Sequence, residues 1–127
     1  MNAHPERAED YLQHIQTALA RIRKYTQDVD FTGFIGSEII QDAVIRNLEI
    51  IGEAARNIER DYPAFASQHP QLPLAEAYTT RNWLSHGYFK INLEVVWQTI
   101  EIDLPELEAQ VLQILADNFP GNQKSEQ

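Results

Sequence analysis

Residues 37–60 read SEIIQDAVIRNLEIIGEAARNIER, and this stretch decides the fold class. Apolar side chains return every three or four positions, which predicts one amphipathic helix with a single core-facing stripe. Ser37 suits the N-cap, because its hydroxyl can accept a hydrogen bond from an early backbone N–H. We therefore expect a long helix from about Ser37 to Arg60, with one face in the core. That face comprises Ile40, Val44, Leu48, Ile51, Ala55 and Ile58, together with a single polar residue, Asn47.

The same periodicity recurs on both sides of this helix. It predicts a first helix from about Pro5 to Thr26 and a third from about Pro73 to Ser85. A fourth helix begins at Asn92, a good N-cap, and Pro105 predicts a kink or restart at Asp103–Pro105 because proline lacks an N–H. The apolar positions on these helices are Leu12, Ile15, Leu19, Ile22, Leu93, Val96, Trp97, Ile100, Leu107, Val111, Leu112, Ile114 and Leu115.

No stretch shows a strand pattern strong enough to build a sheet, and short connections favour antiparallel helix neighbours. The sequence thus predicts an all-α antiparallel bundle of four to five helices in a single domain, 1–120, followed by a flexible polar tail, 121–127. Residues 28–36, DVDFTGFIG, are expected to form a loop that tucks Phe31 and Phe34 into the core. Residues 62–73 are expected to bend repeatedly at three prolines and to pack back through Tyr62, Phe65 and Leu72.

The amino-acid composition argues against disulfide-bonded, secreted and membrane-spanning classes of protein. The 127 residues contain no cysteine, which excludes disulfides, Cys-ligated zinc and thiol catalysis and suits a cytoplasmic protein. A polar N-terminus and the lack of a long apolar run argue against a secretory signal or a membrane span. The net charge of -9 opposes general nucleic-acid binding, so contact with RNA would require a local basic cleft. The acidic surface could equally serve a basic partner or solubility alone.

The densest polar cluster lies at residues 81–89, RNWLSHGYF, where the third helix is expected to end at Gly87. Histidine can move protons near neutral pH, and arginine presents a permanently charged fork that matches phosphate oxygens. His86 and Arg81 could therefore support attack of an RNA 2′-hydroxyl on its own phosphate, with hydrogen bonds from Asn82 and Ser85 and with no metal or other cofactor. On one continuous helix, Arg81 and His86 would lie ~140° apart, so a helix end and a long arginine side chain are needed to bring them together.

Spacing alone leaves other interpretations open. Arg81 could be a solvated helix residue, and His86 could interact with the helix dipole. A symmetric dimer would bring two copies of the pair to one cleft, where Arg46 and Lys90 could add positive charge for the substrate. No metal site is predicted: His4, His14 and His69 lack ligand spacing, and Asp28 with Asp30 is better explained by a turn. The acidic run at 101–108 is most simply a solvated face.

The sequence also resembles a known family. Arg81, His86 and Tyr88 form Arg-x4-His-x-Tyr, which is similar to the signature of the HepT-like HEPN toxins. Residues 43–58, AVIRNLEIIGEAARNI, resemble that family's second helix, and residues 86–111, HGYFKINLEVVWQTIEIDLPELEAQV, resemble its last part. The resemblance covers roughly residues 7–113, and the loop residue Phe34 fits it as well.

This resemblance implies a dimeric helical ribonuclease toxin of a type VII-like toxin–antitoxin pair. Cleavage of transfer or messenger RNA would be metal-independent and would leave 2′,3′-cyclic phosphate ends. The partner would be a minimal nucleotidyltransferase antitoxin that transfers AMP to Tyr88. By family position, Arg81 stabilises the phosphate, His86 acts as general acid or base, and Asn82 supports Arg81. The alternatives are a non-catalytic helical adaptor that binds a nucleotidyltransferase and, more weakly, a nucleotide-binding regulator in which Arg81 holds a phosphate.

Overall fold

A computed structural model describes residues 5–85 and 91–119, with backbone positions alone at 5–7 and 80–85. Within these ranges the chain is helical and contains no strand, which confirms the predicted all-α class. A π-helical turn, Thr99–Asp103, joins the last two helices. The helices are α1 (Pro5–Thr26), α2 (Phe31–Ile35), α3 (Glu38–Asp61), α4 (Pro63–Gln68), α5 (Leu74–Ser85), α6 (Leu93–Gln98) and α7 (Leu104–Asn118).

Helix α3 is the central element and packs against both α1 and α5. The Ser37 hydroxyl accepts a hydrogen bond from the Ile40 N–H at 3.2 Å, so the predicted N-cap is confirmed. The helix ends at Asp61, where the Tyr62 N–H bonds back to the Ile58 carbonyl and Pro63 follows. The predicted stripe faces the core: Val44, Leu48, Ile51, Ala55 and Ile58 are buried and Ile40 is half-buried.

Helix α1 has the predicted bounds and buries its predicted stripe, Leu12, Ile15, Leu19 and Ile22. It runs antiparallel to α3, since the Tyr11 ring near its start lies 6.3 Å from the Tyr62 ring just after the end of α3. At the far side of α1, the Arg23 guanidinium pairs with the Glu108 carboxylate and ties α1 to α7. These helices enclose one continuous core.

The predicted loop at 28–36 was wrong in part, because it contains the short helix α2. Asp30 caps this helix by accepting a hydrogen bond from the Gly33 N–H at 2.8 Å. The Gln41 side chain donates to the carbonyl oxygens of Phe34 and Ile35, both at 2.9 Å, and so satisfies the other end. Five residues are too few to show a helical period, so these three capping hydrogen bonds, two of them from Gln41 of α3, are what define the helix.

The prediction that both phenylalanines of this segment are buried was correct for Phe34, which is fully buried, and wrong for Phe31, which is 37% exposed. The segment 62–73 also forms a short helix, α4, which begins at Pro63, where proline costs no intrahelical hydrogen bond. Tyr62 and Leu72 are buried and Phe65 is half-buried, as predicted.

The predicted kink near Pro105 is the π-helical turn. Val96 and Leu104 are both buried but lie eight positions apart, which would separate them by about 80° around a regular α-helix. In the π-helical turn the Leu104 N–H bonds to the Thr99 carbonyl, five residues back, so the extra residue is absorbed and both side chains reach the core. Leu112, predicted to be apolar core, is 43% exposed, whereas Leu107, Val111, Ile114 and Leu115 are buried.

Candidate functional site

The backbone of Arg81, Asn82 and Ser85 lies in the last turns of α5, the helix predicted to carry the motif. His86, Tyr88 and Lys90, together with the predicted helix stop Gly87 and the predicted tail 121–127, lie outside the described residues. The chain is described again from Ile91, and α6 starts immediately after Asn92. The Asn92 side chain caps α6 by accepting from the Glu94 and Val95 N–H groups, as predicted.

Helix α5 runs antiparallel to α3, which places the motif at one end of the bundle. Near the start of α5, residues 70–76 lie beside Glu59 in the second half of α3. Ala77 then lines a cleft with Ile51 and Leu48, further towards the start of α3. At 1.5 Å per residue, the Arg81 backbone lies about 6 Å further in the same direction. The motif thus approaches the N-terminal half of α3, at the end of the bundle where α2 meets α6.

The helical register of α5 relates the backbone positions of the motif to earlier residues that pack against the core. Leu74 is buried and Tyr78 is half-buried against the core. Position 81 follows Leu74 by two helical turns, and position 85 follows Tyr78 by the same interval, so both backbone positions share that face. Position 82 lies at its edge.

Arg46 is exposed but does not lie on the α5 side of α3. Its side chain is 71% exposed, and its nearest ionic partner is the Glu49 carboxylate at 3.9 Å, one turn away. It lines a groove with Tyr11 and His14 of α1. Leu48 follows Arg46 by two residues and points towards α5. Two positions apart on an α-helix, the side chains of Arg46 and Leu48 are separated by about 160° around the helix axis. Within one chain, Arg46 and the α5 backbone thus lie on opposite sides of α3.

Asn47 is the one polar residue that the sequence placed in the core stripe of α3, and it is only 5% exposed. Its Nδ2 donates to the Ala43 carbonyl oxygen at 2.8 Å, one turn back along the same helix. Its Oδ1 finds no partner among the residues that the structure describes. Buried polar atoms are normally satisfied, so this oxygen is an exception among the described residues of the core.

Other polar residues make hydrogen bonds or ion pairs that stabilise the fold. Asp30 caps α2, so its carboxylate has the turn role predicted for it. The His69 ring nitrogen Nδ1 donates to the Phe65 carbonyl oxygen at 2.9 Å. The hydrogen bond and charge of Asp61 raise the pKa of Arg60, so this arginine stays cationic and paired far from the motif. No group of three His, Asp or Glu residues within 5–85 and 91–119 is arranged to hold a metal ion.

None of the described helices is both long enough and apolar enough to cross a membrane.

Comparison with known proteins identifies the family. The family model described as "Ribonuclease HepT-like" matches residues 15–114, which include all of α3 and α5 and the whole 81–88 motif. The chain is 40% identical over 100 residues to a protein of Thermococcus cleftensis named "Probable ribonuclease HepT", covering 79% of this chain and 88% of that protein. It is 35% identical over 105 residues to "Putative RNase TTE0752" of Caldanaerobacter subterraneus subsp. tengcongensis, covering 83% and 91%. No solved structure matches. The chain belongs to the HepT-like ribonuclease family.

Proposed function

We propose that this protein is a metal-independent RNA endonuclease, the toxin of a type VII-like toxin–antitoxin pair that acts in the cytoplasm. The observation that carries the proposal is the family match across residues 15–114 with Arg81, His86 and Tyr88 intact. The backbone of Arg81 lies in the last turns of α5, a helix whose earlier residues Leu74 and Tyr78 pack against the core, and this supports a defined position for the start of the motif.

In the proposed reaction, the RNA 2′-hydroxyl attacks the adjacent phosphorus and the 5′-oxygen of the next nucleotide leaves. His86 accepts the 2′-hydroxyl proton or delivers a proton to the leaving oxygen. Arg81 stabilises the charge that builds on the non-bridging oxygens, because its planar fork can donate two parallel hydrogen bonds. Asn82 and Ser85 supply supporting hydrogen bonds. The products are a 2′,3′-cyclic phosphate and a 5′-hydroxyl.

A homodimer would complete this site. One histidine cannot serve at once as base and acid, and a two-fold axis near the motif would bring two His86 and two Arg81 to one cleft. The same arrangement would concentrate positive charge locally in a chain of net charge -9. Arg46 and Lys90 are proposed to contact the RNA backbone. Arg46 is exposed enough to do so, and because its groove lies on the α1 side of α3 we expect it to contact RNA away from the scissile phosphate.

Regulation is proposed to act on Tyr88. A minimal nucleotidyltransferase antitoxin would join the tyrosine oxygen to the α-phosphorus of ATP, releasing pyrophosphate. The attached AMP adds bulk and a negative phosphate two residues from His86, so it would repel RNA and compete for Arg81.

The decisive test is cleavage of RNA by purified protein whose mass shows no modification, in excess EDTA. We expect cyclic-phosphate products from the wild type and none from His86→Ala or Arg81→Ala. His69→Ala is the matched control, because His69 contacts Phe65 at the other end of the bundle and its loss should leave the cleavage by the folded protein unchanged. Full activity of a folded His86→Ala protein would contradict the mechanism. Failure of the unmodified wild type to cut several RNA classes would favour the helical adaptor.

The regulatory step has its own test. Tyr88→Phe should still cleave RNA but should not accept AMP when incubated with the antitoxin and ATP, as judged by intact mass. Tyr78→Phe is the control and should still accept AMP, since Tyr78 is a half-buried tyrosine of α5 outside the motif. AMP transfer to the Tyr88→Phe protein would place the modification elsewhere.

A further inference from the structure

The groove beside Arg46, between α1 and α3, is lined by aromatic, cationic and acidic side chains, and we call it the α1–α3 groove. Its volume is about 290 Å³. Ala54 is buried and Ile50 packs against the core, so these two residues form an apolar floor. Small-molecule pockets begin at ~300 Å³, so the groove suits a ligand no larger than about one nucleoside.

The wall of the groove on α1 is aromatic. The ring centroids of Tyr11 and His14 lie 6.0 Å apart with their planes at 82°, which makes an edge-to-face pair. Tyr11 is half-buried and its ring also lies 6.3 Å from that of Tyr62, so packing holds it in place, whereas His14 is exposed. Aromatic side chains at a surface are the platforms on which unpaired bases of RNA stack. This wall therefore has the character of a base-stacking surface.

The wall on α3 carries a cation and a carboxylate that lie close together without a hydrogen bond between them. Arg46 Nη1 and Glu49 Oε1 are 3.9 Å apart, which is beyond hydrogen-bonding distance. The Arg46 side chain is exposed and the Glu49 side chain is half-buried. The guanidinium of Arg46 can thus donate to a phosphate of a ligand, and the two oxygens of Glu49 can accept from N–H groups of that ligand.

This arrangement selects a nucleobase whose edge donates hydrogen bonds. Glu49 and Glu53 both lie on the α3 wall, so they would repel a base edge made of acceptors and would confine a phosphate to the Arg46 end. A carboxylate can accept two parallel N–H bonds. Guanine presents two adjacent donors, N1–H and N2–H, whereas adenine, cytosine and uracil present no such pair. A cationic ligand is disfavoured, because Arg46 beside Glu49 would repel it.

We propose that the α1–α3 groove binds a guanine nucleotide, and that this nucleotide belongs to the RNA substrate, an origin that rests on the proposed function. The base stacks on the wall formed by Tyr11 and His14. Its N1–H and N2–H groups donate to the Glu49 carboxylate, and its phosphate contacts Arg46. The groove and the motif lie on opposite sides of α3, a helix about 10–12 Å wide with its side chains, and a few nucleotides of a single strand can cover that distance.

The first experiment uses the full-length protein, labelled with 15N, and contains no RNA, so it does not depend on cleavage. The probes are 5′-GMP and 5′-IMP, which differ only in the 2-amino group that is proposed to donate to the Glu49 carboxylate. We expect GMP to shift the amide resonances of His14, Ile50 and Glu53. IMP should shift the same resonances but bind about tenfold more weakly, because it lacks one hydrogen bond to a charged group.

The variant Glu49→Gln tests recognition of the base. Glutamine has a single acceptor oxygen, so this protein should bind GMP about tenfold more weakly than the wild type and should bind GMP and IMP equally. Glu38→Gln is the matched control, because Glu38 is an exposed glutamate of α3 outside the groove, and this protein should keep the wild-type preference for GMP. Circular dichroism at the assay temperature checks that both proteins are folded.

The variant Tyr11→Leu tests stacking. It should weaken GMP and IMP by the same factor, about tenfold, because stacking on an aromatic ring does not distinguish the bases. Tyr25→Leu is the matched control, since Tyr25 is an exposed tyrosine of α1 that does not line the groove, and it should bind both nucleotides like the wild type. A general loss of structure would not leave the ratio of the two affinities unchanged in one variant and abolish it in the other.

Three results would overturn the site: no GMP-induced shifts in the groove, equal affinity of the wild type for GMP and IMP, or the same preference for GMP in the wild type and Glu49→Gln. The origin of the nucleotide is tested by cleavage of a randomised RNA. The wild type should favour guanine at one fixed distance from the cut, and Glu49→Gln should still cut but lose this preference.

The cleavage experiment also separates this inference from the proposed function. Cleavage without any guanine preference would overturn the assignment of the groove to the RNA substrate and would leave the ribonuclease activity established. Selective GMP binding by an unmodified protein that cuts no RNA would contradict the proposed function and would assign the groove to a free guanine nucleotide.

Discussion

The rings of Phe34 and Trp97 lie 5.2 Å apart and are tilted by 35°, which joins the short helix α2 to α6. This contact closes the end of the bundle that the motif approaches. Phe34 is fully buried, and its helix is capped at one end by Asp30 and at the other by Gln41 of α3. The position of α6 directly after the motif therefore depends on a residue far upstream in the chain.

Phe34→Ala should lower the free energy of unfolding by about 3–5 kcal/mol, because it removes a fully buried ring. Phe31→Ala is the matched control in the same helix. Phe31 is 37% exposed, so its loss should be about 1 kcal/mol, even though its ring lies 6.2 Å from that of Trp97. Urea unfolding followed by far-UV circular dichroism measures both. Similar losses for the two variants would contradict the role assigned to Phe34.

The π-helical turn can be removed by one deletion. Without Ile102, which is 66% exposed, Val96 and Leu104 become seven positions apart and share one face of a regular α-helix. Pro105 must then be replaced by Ala, because proline inside a helix costs about 3 kcal/mol. We expect this shortened protein to fold, with a free energy of unfolding within about 2 kcal/mol of the wild type.

The control for that deletion is removal of Gln113, an exposed residue of α7. This deletion turns Ile114 and Leu115 by about 100° and takes both out of the core, so stability should fall by more than about 3 kcal/mol. The two proteins can be compared by thermal and urea unfolding. If the Ile102 deletion were the more damaging of the two, the π-helical turn would have a role beyond absorbing one residue.

The Arg23–Glu108 pair between α1 and α7 should be weakly stabilising. Arg23 is 58% exposed, so solvent screens the pair, and Gln16 Nε2 also donates to the same carboxylate at 3.4 Å. A double-mutant cycle with Arg23→Ala and Glu108→Ala should give a coupling free energy of about 0.2–1 kcal/mol that shrinks in 1 M NaCl. The same cycle with Arg21→Ala, an exposed arginine of the same helix, should give none.

Arg46→Ala should weaken RNA binding through the loss of one phosphate contact, if the proposed function holds. Binding is measured in the His86→Ala background so that the RNA stays intact. The slope of log affinity against log salt should fall by about 0.7, the value for one contact to a single strand. Arg56→Ala is the control, since Arg56 is exposed on the same helix about 15 Å further along its axis. An equal change for both arginines would indicate a non-specific effect of charge.

Much of the fold was predictable from local sequence. The bounds of α1 were predicted residue for residue, and those of α3 and α5 within one residue, because apolar period and capping are local properties. Ser37 and Asn92 cap the helices they were expected to cap. The family was also recognisable before any coordinates, since Arg81, His86 and Tyr88 keep their spacing between two long matching segments.

Other features depend on residues that are distant in sequence. Helix α2 is stable because Gln41 satisfies its last carbonyls and Trp97 covers Phe34. Arg46 falls on the α1 side of α3, which follows from where α5 packs and from no local signal.

The sequence by itself determined the all-α class, the long helices and the motif, because helical period, capping and motif spacing depend on residues that are close in sequence. Only the tertiary structure decided that Phe31 and Leu112 stay exposed, that the chain widens into a π-helical turn, and that Glu76 faces Asp103 and Glu106 across one cleft. The physical reason is that burial and charge proximity depend on which helix faces meet, and that choice is made by the packing of the whole core.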